Sequence, residues 1–270
     1  MPELTATHRR LVDAWLGPWE IVADHSWPLQ DTAVLHVRAG AGEFIVKASE
    51  TSHHPAREIA AHRDGYATGW MVAGDEEHRI LVLEYVPGVL VEGTPAEWDP
   101  AVYEQAGRIL DRLQVPGDVD DAYVPRLVER ARRALERSPE CFPDGLLEVA
   151  HRRLDAVRPF PVPLVFTHGD YQPRNWLVDD GELRIIDFGR ALFRSAESDL
   201  VRLRQQQFVE HPELQAAFER GYGREPGPVL ELDELEQATT TVSWAHSIGD
   251  PEFEEHGRRM LRRVLAQPPA

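Results

Sequence analysis

His168-Gly169-Asp170-Tyr171-Gln172-Pro173-Arg174-Asn175-Trp176-Leu177, followed by Ile185-Ile186-Asp187-Phe188-Gly189, is the stretch whose reading decides the fold of this 270-residue chain. A polar loop leads into two short apolar runs, Trp176-Leu177-Val178 and Leu183 to Ile186, around the turn residues Asp179-Asp180-Gly181. Apolar runs flanking a polar turn of this kind read as a hairpin. The loop carries a carboxylate and, five positions on, a carboxamide; the far side of the hairpin carries a second carboxylate.

Each part has a chemical reason. A carboxylate can accept or orient the proton of an attacking hydroxyl, while a carboxamide and a second carboxylate supply hard oxygen ligands for Mg2+ on phosphates. Asp170, Asn175 and Asp187 stand in the order that kinase-type phosphoryl transfer uses, with Asp170 as the catalytic carboxylate and Asn175 and Asp187 as metal ligands. Pro173 stiffens the loop, and Gly189 permits the turn after the third group. Asp and Asn are common turn residues, so it is both loops in this order that carry the reading.

Lysine usage adds a second anchor. Of the 29 basic residues 28 are arginine, and the remaining one is Lys47. A chain that chooses arginine wherever a plain positive charge suffices has a reason for its lysine. Lys47 ends the run Phe44-Ile45-Val46, the place where kinases hold the lysine that binds the α- and β-phosphates. The strand period of two puts Ile45 on the same face, where it would cover an adenine ring. Glu58, on the helical segment after Pro55, is the candidate ion-pair partner, with Glu43 and Glu50 as competitors.

HGDYQPRNWL with IIDFG resembles the aminoglycoside phosphotransferase family of small-molecule kinases, relatives of choline kinases and, more distantly, of protein kinases. In that family His-Gly-Asp stands where protein kinases have His-Arg-Asp. The resemblance implies an α+β, protein-kinase-like bilobal fold, with a small β-rich N-lobe over 1–88 and a larger, mainly helical C-lobe over 89–270. It implies that Leu81-Val82-Leu83-Glu84-Tyr85-Val86-Pro87-Gly88 is the hinge, where backbone groups near Glu84 and Val86 read the adenine edge. Leu177 and Ile186 would form the floor beneath the base. His168 would steady the loop by bonding to backbone near the Asp-Phe-Gly turn, and Asp199 reads as a helix-end charge. One departure is the segment 25–32, which contains no glycine where kinases place a Gly-rich phosphate loop. The chain also lacks an Ala-Pro-Glu segment after Gly189 and a long activation loop, which disfavours a protein substrate.

The rest of the chain fits this frame. A helix over 7–16 precedes a hairpin of 32–37 with 44–48 across Ala39-Gly40-Ala41-Gly42; a second strand pair follows near 70–72 and 80–86. Helical spacing then predicts helices over 99–113, 125–137, 146–157, 198–208, 213–222, 232–247 and 252–265, interrupted by a strand at 164–167. A single cysteine, Cys141, excludes an intrachain disulfide and a four-thiolate metal site and suits a reducing cytoplasm. A net charge of −17 would repel nucleic acid and anionic lipid. No run approaches the roughly 18 apolar residues of a membrane span.

The expected protein is thus a cytoplasmic ATP-dependent (GTP being the other option) and Mg2+-dependent kinase of a small-molecule hydroxyl, without nucleic-acid or membrane partners, as a monomer or homodimer. Its acceptor is an aminoglycoside or other antibiotic, implying a part in antibiotic resistance, or an amino alcohol or sugar. Glu231, Asp233, Glu234 and Glu236, then Asp250, Glu252, Glu254 and Glu255, would draw a cationic acceptor, although a solvated helix face accounts for most of them. A non-catalytic nucleotide-binding relative would have lost one of Asp170, Asn175 and Asp187. A metal-dependent phosphohydrolase would need His-rich bimetal motifs.

Composition yields a direct test. If Lys47 holds a phosphate, Lys47→Arg replaces a compact ammonium by a planar fork that shifts the phosphates, and misplacement by about an ångström costs on the order of a hundredfold in rate. The expected result is a nearly unchanged melting temperature with a severe fall in kcat/KM, both measured on one preparation. Full activity in the arginine variant would refute a phosphate-binding lysine.

Overall fold

Thr5 starts the first helix, α1 (Ala6–Leu16): its hydroxyl accepts the His8 N–H at 3.1 Å, and the His8 ring accepts the Thr5 N–H at 3.4 Å. Strands β1 (Trp19–Asp24), β2 (Ala33–Ala39) and β3 (Gly42–Ala48) lead to α2 (His54–Arg63), and β4 (Met71–Asp75), β5 (Ile80–Glu84) and β6 (Val89–Leu90) to α3 (Pro100–Leu113). Then come β7 (Pro116–Asp120), α4 (Tyr123–Arg137), α5 (Leu146–Ala156), β8 (Val162–Thr167), β9 (Trp176–Asp179), β10 (Glu182–Ile185) and β11 (Leu192–Arg194). The chain ends in α6 (Val201–Gln205), α7 (Gln207–Glu210), α8 (Pro212–Tyr222), α9 (Leu230–Ile248) and α10 (Pro251–Ala266). This computed structural model describes residues 3–27, 31–40, 42–143 and 145–267. Ala41, in the predicted first turn, and residues 28–30 of the glycine-free segment lie outside the described residues.

Two units are distinguished: Met1–Leu113 with His168–Leu192 and Arg220–Tyr222, and Gln114–Thr167 with Phe193–Glu219 and Gly223–Ala270. The first contains a five-stranded antiparallel sheet in the order β1-β2-β3-β5-β4 and a three-stranded sheet in the order β10-β9-β6. Strand alternation decides the role of each face. Phe44, Val46 and Ala48 of β3 join Leu35 and Val37 of β2, Ile80 and Val82 of β5, and Val12 of α1 in one core. The pleat therefore commits Ile45 and Lys47, between those residues, to the opposite face. Register sets Lys47 beside Val34 on one side and Leu81 on the other.

In the second unit α4, α5, α9 and α10 share a core that includes Leu127, Leu135, Leu154, Val242 and Leu261. The predicted single helix over 198–208 is interrupted: Gln206, at φ −123 and ψ −94, separates α6 from α7. Asp199, read from sequence as a helix-end charge, is buried at 1% exposure. Among the described residues no helix is long and apolar enough to cross a membrane. Most of the acids proposed to draw a cation have partners already: Glu234 and Glu236 accept from Arg204 and Arg130 at 2.8 Å each, and Glu231 pairs with Arg153. Asp250 caps α10, its carboxylate accepting the Phe253 N–H at 2.9 Å.

Asp233 lies in the first turn of α9 with Ser195 Oγ donating at 2.5 Å and Tyr123 OH at 3.3 Å. Burial, with help from Glu197 and Glu236, pushes its carboxyl up to about 7 against those hydrogen bonds. A carboxyl raised on folding contributes stability that is fully present at acid pH and is lost as pH climbs through that value. Asp233→Asn should therefore flatten the stability profile between about pH 4 and pH 7, by an amount on the order of a few kcal/mol. Urea unfolding across that range tests it, and a wild-type profile no steeper than the variant's would count against it.

Candidate active site

Lys47 emerges from the second face of β3 into a pocket of opposite charge. Its Nζ donates to Glu58 Oε1 and Oε2 at 2.9 and 2.8 Å and to Asp187 Oδ1 at 3.0 Å. Glu58 is 1% exposed and, through Oε1, also accepts the Phe188 N–H at 3.2 Å. The competitors for the lysine are engaged elsewhere or unpaired with it: Glu43 bonds Arg38 at 2.7 Å and His36 at 3.0 Å. Burial opposes the lysine's charge, but Asp187 and Glu58 outweigh it and hold the ammonium protonated above the ordinary lysine range. Burial likewise works to raise the Asp187 carboxyl, and Lys47 overrides it, holding that group well below the usual carboxylate range.

Asp187 takes φ +68, a left-handed conformation that costs a non-glycine residue on the order of 1–3 kcal/mol. Lys47 on its carboxylate and Glu58 on the next amide offset that cost. The turn is tied from below as well. His168 Nε2–H donates to Ile186 O at 2.9 Å, and its Nδ1 accepts the Asp170 N–H at 3.2 Å. One nitrogen donating and the other accepting fixes the tautomer and couples the Asp170 loop to the Asp187 turn. Gly169 between them sits at φ +79, which favours glycine where protein kinases carry arginine. Asn175 completes the link, its backbone carbonyl accepting the Ile186 N–H at 3.0 Å.

The Asp170 carboxylate is 4% exposed at the residue level and is held at both oxygens: Gln172 Nε2 donates to Oδ1 and Arg174 Nη2 to Oδ2, each at 2.5 Å. Asn175 Nδ2 donates to the Asp170 carbonyl at 2.8 Å, which leaves the amide's oxygen as its remaining hydrogen-bonding atom. Neither Gln172 nor Arg174 was marked as functional by sequence. The available signal was their spacing, two and four residues beyond Asp170 in a tight loop.

Lys47, Glu58, Ile45, Glu84, Val86, Leu177, Ile186, Asp170, Asn175 and Asp187 all line one cleft of about 860 Å³. Arg174, Arg190, His54 and His62 join them. Burial, followed by Lys47, pushes the His62 imidazole down to about 4, so no further cation comes from it at neutral pH. At the strip 84–86 the Glu84 N–H goes to Trp70 O at 2.9 Å and the Tyr85 N–H to Glu43 O at 3.0 Å. Among the described residues the Val86 N–H has no protein partner. Gly88 follows at φ +139, where a Cβ would lie 3.1 Å from Val178 O, so the chain crosses β9 in backbone contact. Upstream, the Asp31 carboxylate accepts from Ser49 Oγ and Thr51 N at 3.1 Å each, anchoring the start of β2 to the segment after Lys47.

A five-stranded sheet with a lysine–glutamate pair, and a hairpin preceded by Asp170 and Asn175 and followed by Asp187, define the protein-kinase-like class of fold. The phosphotransferase enzyme family model (APH) matches residues 27–232, and the chain belongs to that family of phosphotransferases. Among solved structures, an apo thermostable mutant of the aminoglycoside phosphotransferase APH(4)-Ia is similar with a TM-score of 0.70 at 12% identity, covering 95% of this chain and 98% of that one. Choline kinase LicA from Streptococcus pneumoniae gives 0.67 at 14% identity, covering 96% and 97%. Macrolide 2'-phosphotransferase MphH from Brachybacterium faecium gives 0.61 at 15%, covering 93% and 95%. Comparison with curated protein sequences finds no match.

Removing Glu58 should be costly to the fold itself. Glu58→Ala leaves Lys47 with one carboxylate and the Phe188 amide with none, and breaking a buried pair from one side costs about 3–5 kcal/mol. Chemical unfolding of the variant reads this as a lowered midpoint; an unchanged midpoint would show that the pair contributes nothing.

Proposed function

We propose that this phosphotransferase transfers the γ-phosphoryl group of ATP to a hydroxyl of a small molecule in the cytoplasm. The observation that carries the reading is the convergence of Lys47, Asp170, Asn175 and Asp187 in one cleft, each held in place by its own hydrogen bonds. Lys47 takes the α- and β-phosphates, and Glu58 keeps it aimed. Ile45 covers the adenine ring from the sheet side, while Leu177 and Ile186 lie beneath it. The Val86 N–H, together with backbone at Glu84, reads the base edge, which suits ATP and leaves GTP as a less favoured nucleotide. Related structures support the nucleotide: forms of APH(4)-Ia hold AMP-PNP with hygromycin B, and spectinomycin phosphotransferase APH(9)-Ia holds ADP with spectinomycin.

Asn175 and Asp187 fit Mg2+, because donation through the Asn175 nitrogen reserves its oxygen and Asp187 stays ionised. Bound there, the ion would neutralise charge on the phosphate oxygens. Asp170 orients the acceptor hydroxyl and takes its proton. Gln172 and Arg174 are positioning residues: they fix the two carboxylate oxygens, and the Arg174 guanidinium adds positive charge beside the reacting centre. The acceptor is a small hydroxyl compound, an antibiotic by analogy with three of the similar structures or an amino alcohol by analogy with the fourth. Since the acids of α9 are occupied, attraction of a cationic acceptor falls to Glu92, which lines the cleft with its N–H on Pro173 O at 3.4 Å.

Acceptor-dependent ATP turnover, screened over cationic antibiotics, amino alcohols and sugars, identifies the substrate and supplies the assay. Asp170→Asn should then lower turnover at least about a hundredfold while nucleotide binding persists. Arg174→Ala should lower kcat with little change in the KM for ATP, and Arg174→Lys should recover part of it. Near-normal turnover in Asp170→Asn would overturn the assignment.

A further inference from the structure

The second unit holds a group of side chains that phosphoryl transfer does not use. Glu140 and Cys141 lie in the turn after α4, and His246 lies in the last turn of α9; one donor atom from each falls within 4.8 Å of the others. We propose that Glu140, Cys141 and His246 form a zinc site that fastens the 139–141 turn to the end of α9.

The donor set argues for the metal. A thiolate, an imidazole and a carboxylate together suit Zn2+, whereas Mg2+ and Ca2+ take oxygen ligands. Bonds of about 2.0–2.3 Å in a tetrahedral site separate ligand atoms by roughly 3.3–3.8 Å. His246 Nε2 already stands 3.7 Å from Glu140 Oε1, so the thiol needs to close the remaining gap by about an ångström. The imidazole is aimed from behind: Nδ1 bonds Glu254 Oε2 at 3.2 Å, which reserves Nε2 for the ligand side. Carboxylate support of this kind orients zinc-binding histidines and raises their basicity. Arg258 ties the support down, with Nη2 on Glu254 Oε1 and Nε donating to Cys141 O at 2.7 Å.

Glu140 and Glu254 place two carboxylates around Cys141 and His246, against the one guanidinium of Arg258, a balance that suits a divalent cation. Coordination would replace the thiol proton by the ion, releasing that proton to solvent, and a water would complete the four ligands on the exposed side of Glu140 and His246. Cys141 has no second cysteine to pair with, so oxidation to an intrachain disulfide does not compete.

The test uses the full-length protein stripped of metal and titrated with Co2+ and then Zn2+. The expected results are one Zn2+ per chain by competition with a chromophoric chelator, a thiolate-to-cobalt charge-transfer band, and a melting temperature raised by Zn2+. Cys141→Ser and His246→Ala should each remove the band and the thermal shift, and Glu254→Gln should weaken binding about 10–100-fold. His246 is partly exposed at a helix end, so its variant keeps the test informative if the buried Cys141→Ser fails to fold. Absence of the charge-transfer band, or Zn2+ binding undiminished in His246→Ala, would overturn the proposal; metal held instead by Asn175 and Asp187 would produce the second outcome.

Discussion

The buried ammonium of Lys47 between Glu58 and Asp187 is the interaction on which the site depends. Taking the Lys47 ammonium and the Glu58 carboxylate out of water is costly, and their attraction to each other and to the half-exposed Asp187 repays that cost only when geometry is tight and remaining atoms are satisfied. Here one ammonium serves a carboxylate from α2 and a carboxylate from the turn after β10, so helix, sheet and turn must all be in register before any of the three is stable. Glu58 extends the constraint into backbone through the Phe188 amide. A left-handed Asp187 is sustained by this arrangement, because relaxing its φ would carry its carboxylate away from the lysine.

A second set of bonds carries the same constraint to Asp170. His168 grips Ile186 O with one ring nitrogen and the Asp170 amide with the other, while Asn175 reaches Ile186 through backbone and Asp170 through its side chain. The loop and the turn therefore move together or not at all. Phe188, 1% exposed and 4.8 Å ring to ring from His168, fills the space behind them, so apolar packing and hydrogen bonding reinforce one geometry.

The sequence made this unit legible wherever chemistry and period coincide. Lys47 stood out by composition, Asp170, Asn175 and Asp187 by spacing, and Ile45 by strand alternation, and the structure brings all of them to one cleft. Elements without such a signal were harder to see. β1 is mostly exposed, so Trp19 to Asp24 shows no alternation, and the two residues of β6 are too few to show a period. The break at Gln206 interrupts a stretch of good helix formers, where local preference gives no warning of it. Arg174 is hidden for a different reason: as one of 28 arginines it carries no compositional weight, and apart from its place four residues after Asp170 it is the 2.5 Å bond to that carboxylate that separates it from the rest.

Charge is handled differently on the acidic helices and in the cleft. The chain carries −17 overall, yet in the second unit arginines take up the α9 acids: Arg153 on Glu231, Arg204 on Glu234, Arg130 on Glu236. Such pairs cancel over short range and leave little field beyond a few ångströms of the surface. In the cleft Lys47, Arg174 and Arg190 share one space with Glu58, Glu84, Glu92, Asp170 and Asp187, and its low-dielectric walls screen all of these charges less. Lys47 and Arg174 nevertheless each hold an acidic partner, Asp187 and Asp170, so the unliganded cleft is not a bare positive hole. A phosphate chain entering it competes for cations already aligned by those carboxylates, and alignment before arrival is what lets fixed charges stabilise a transferred group without reorganising.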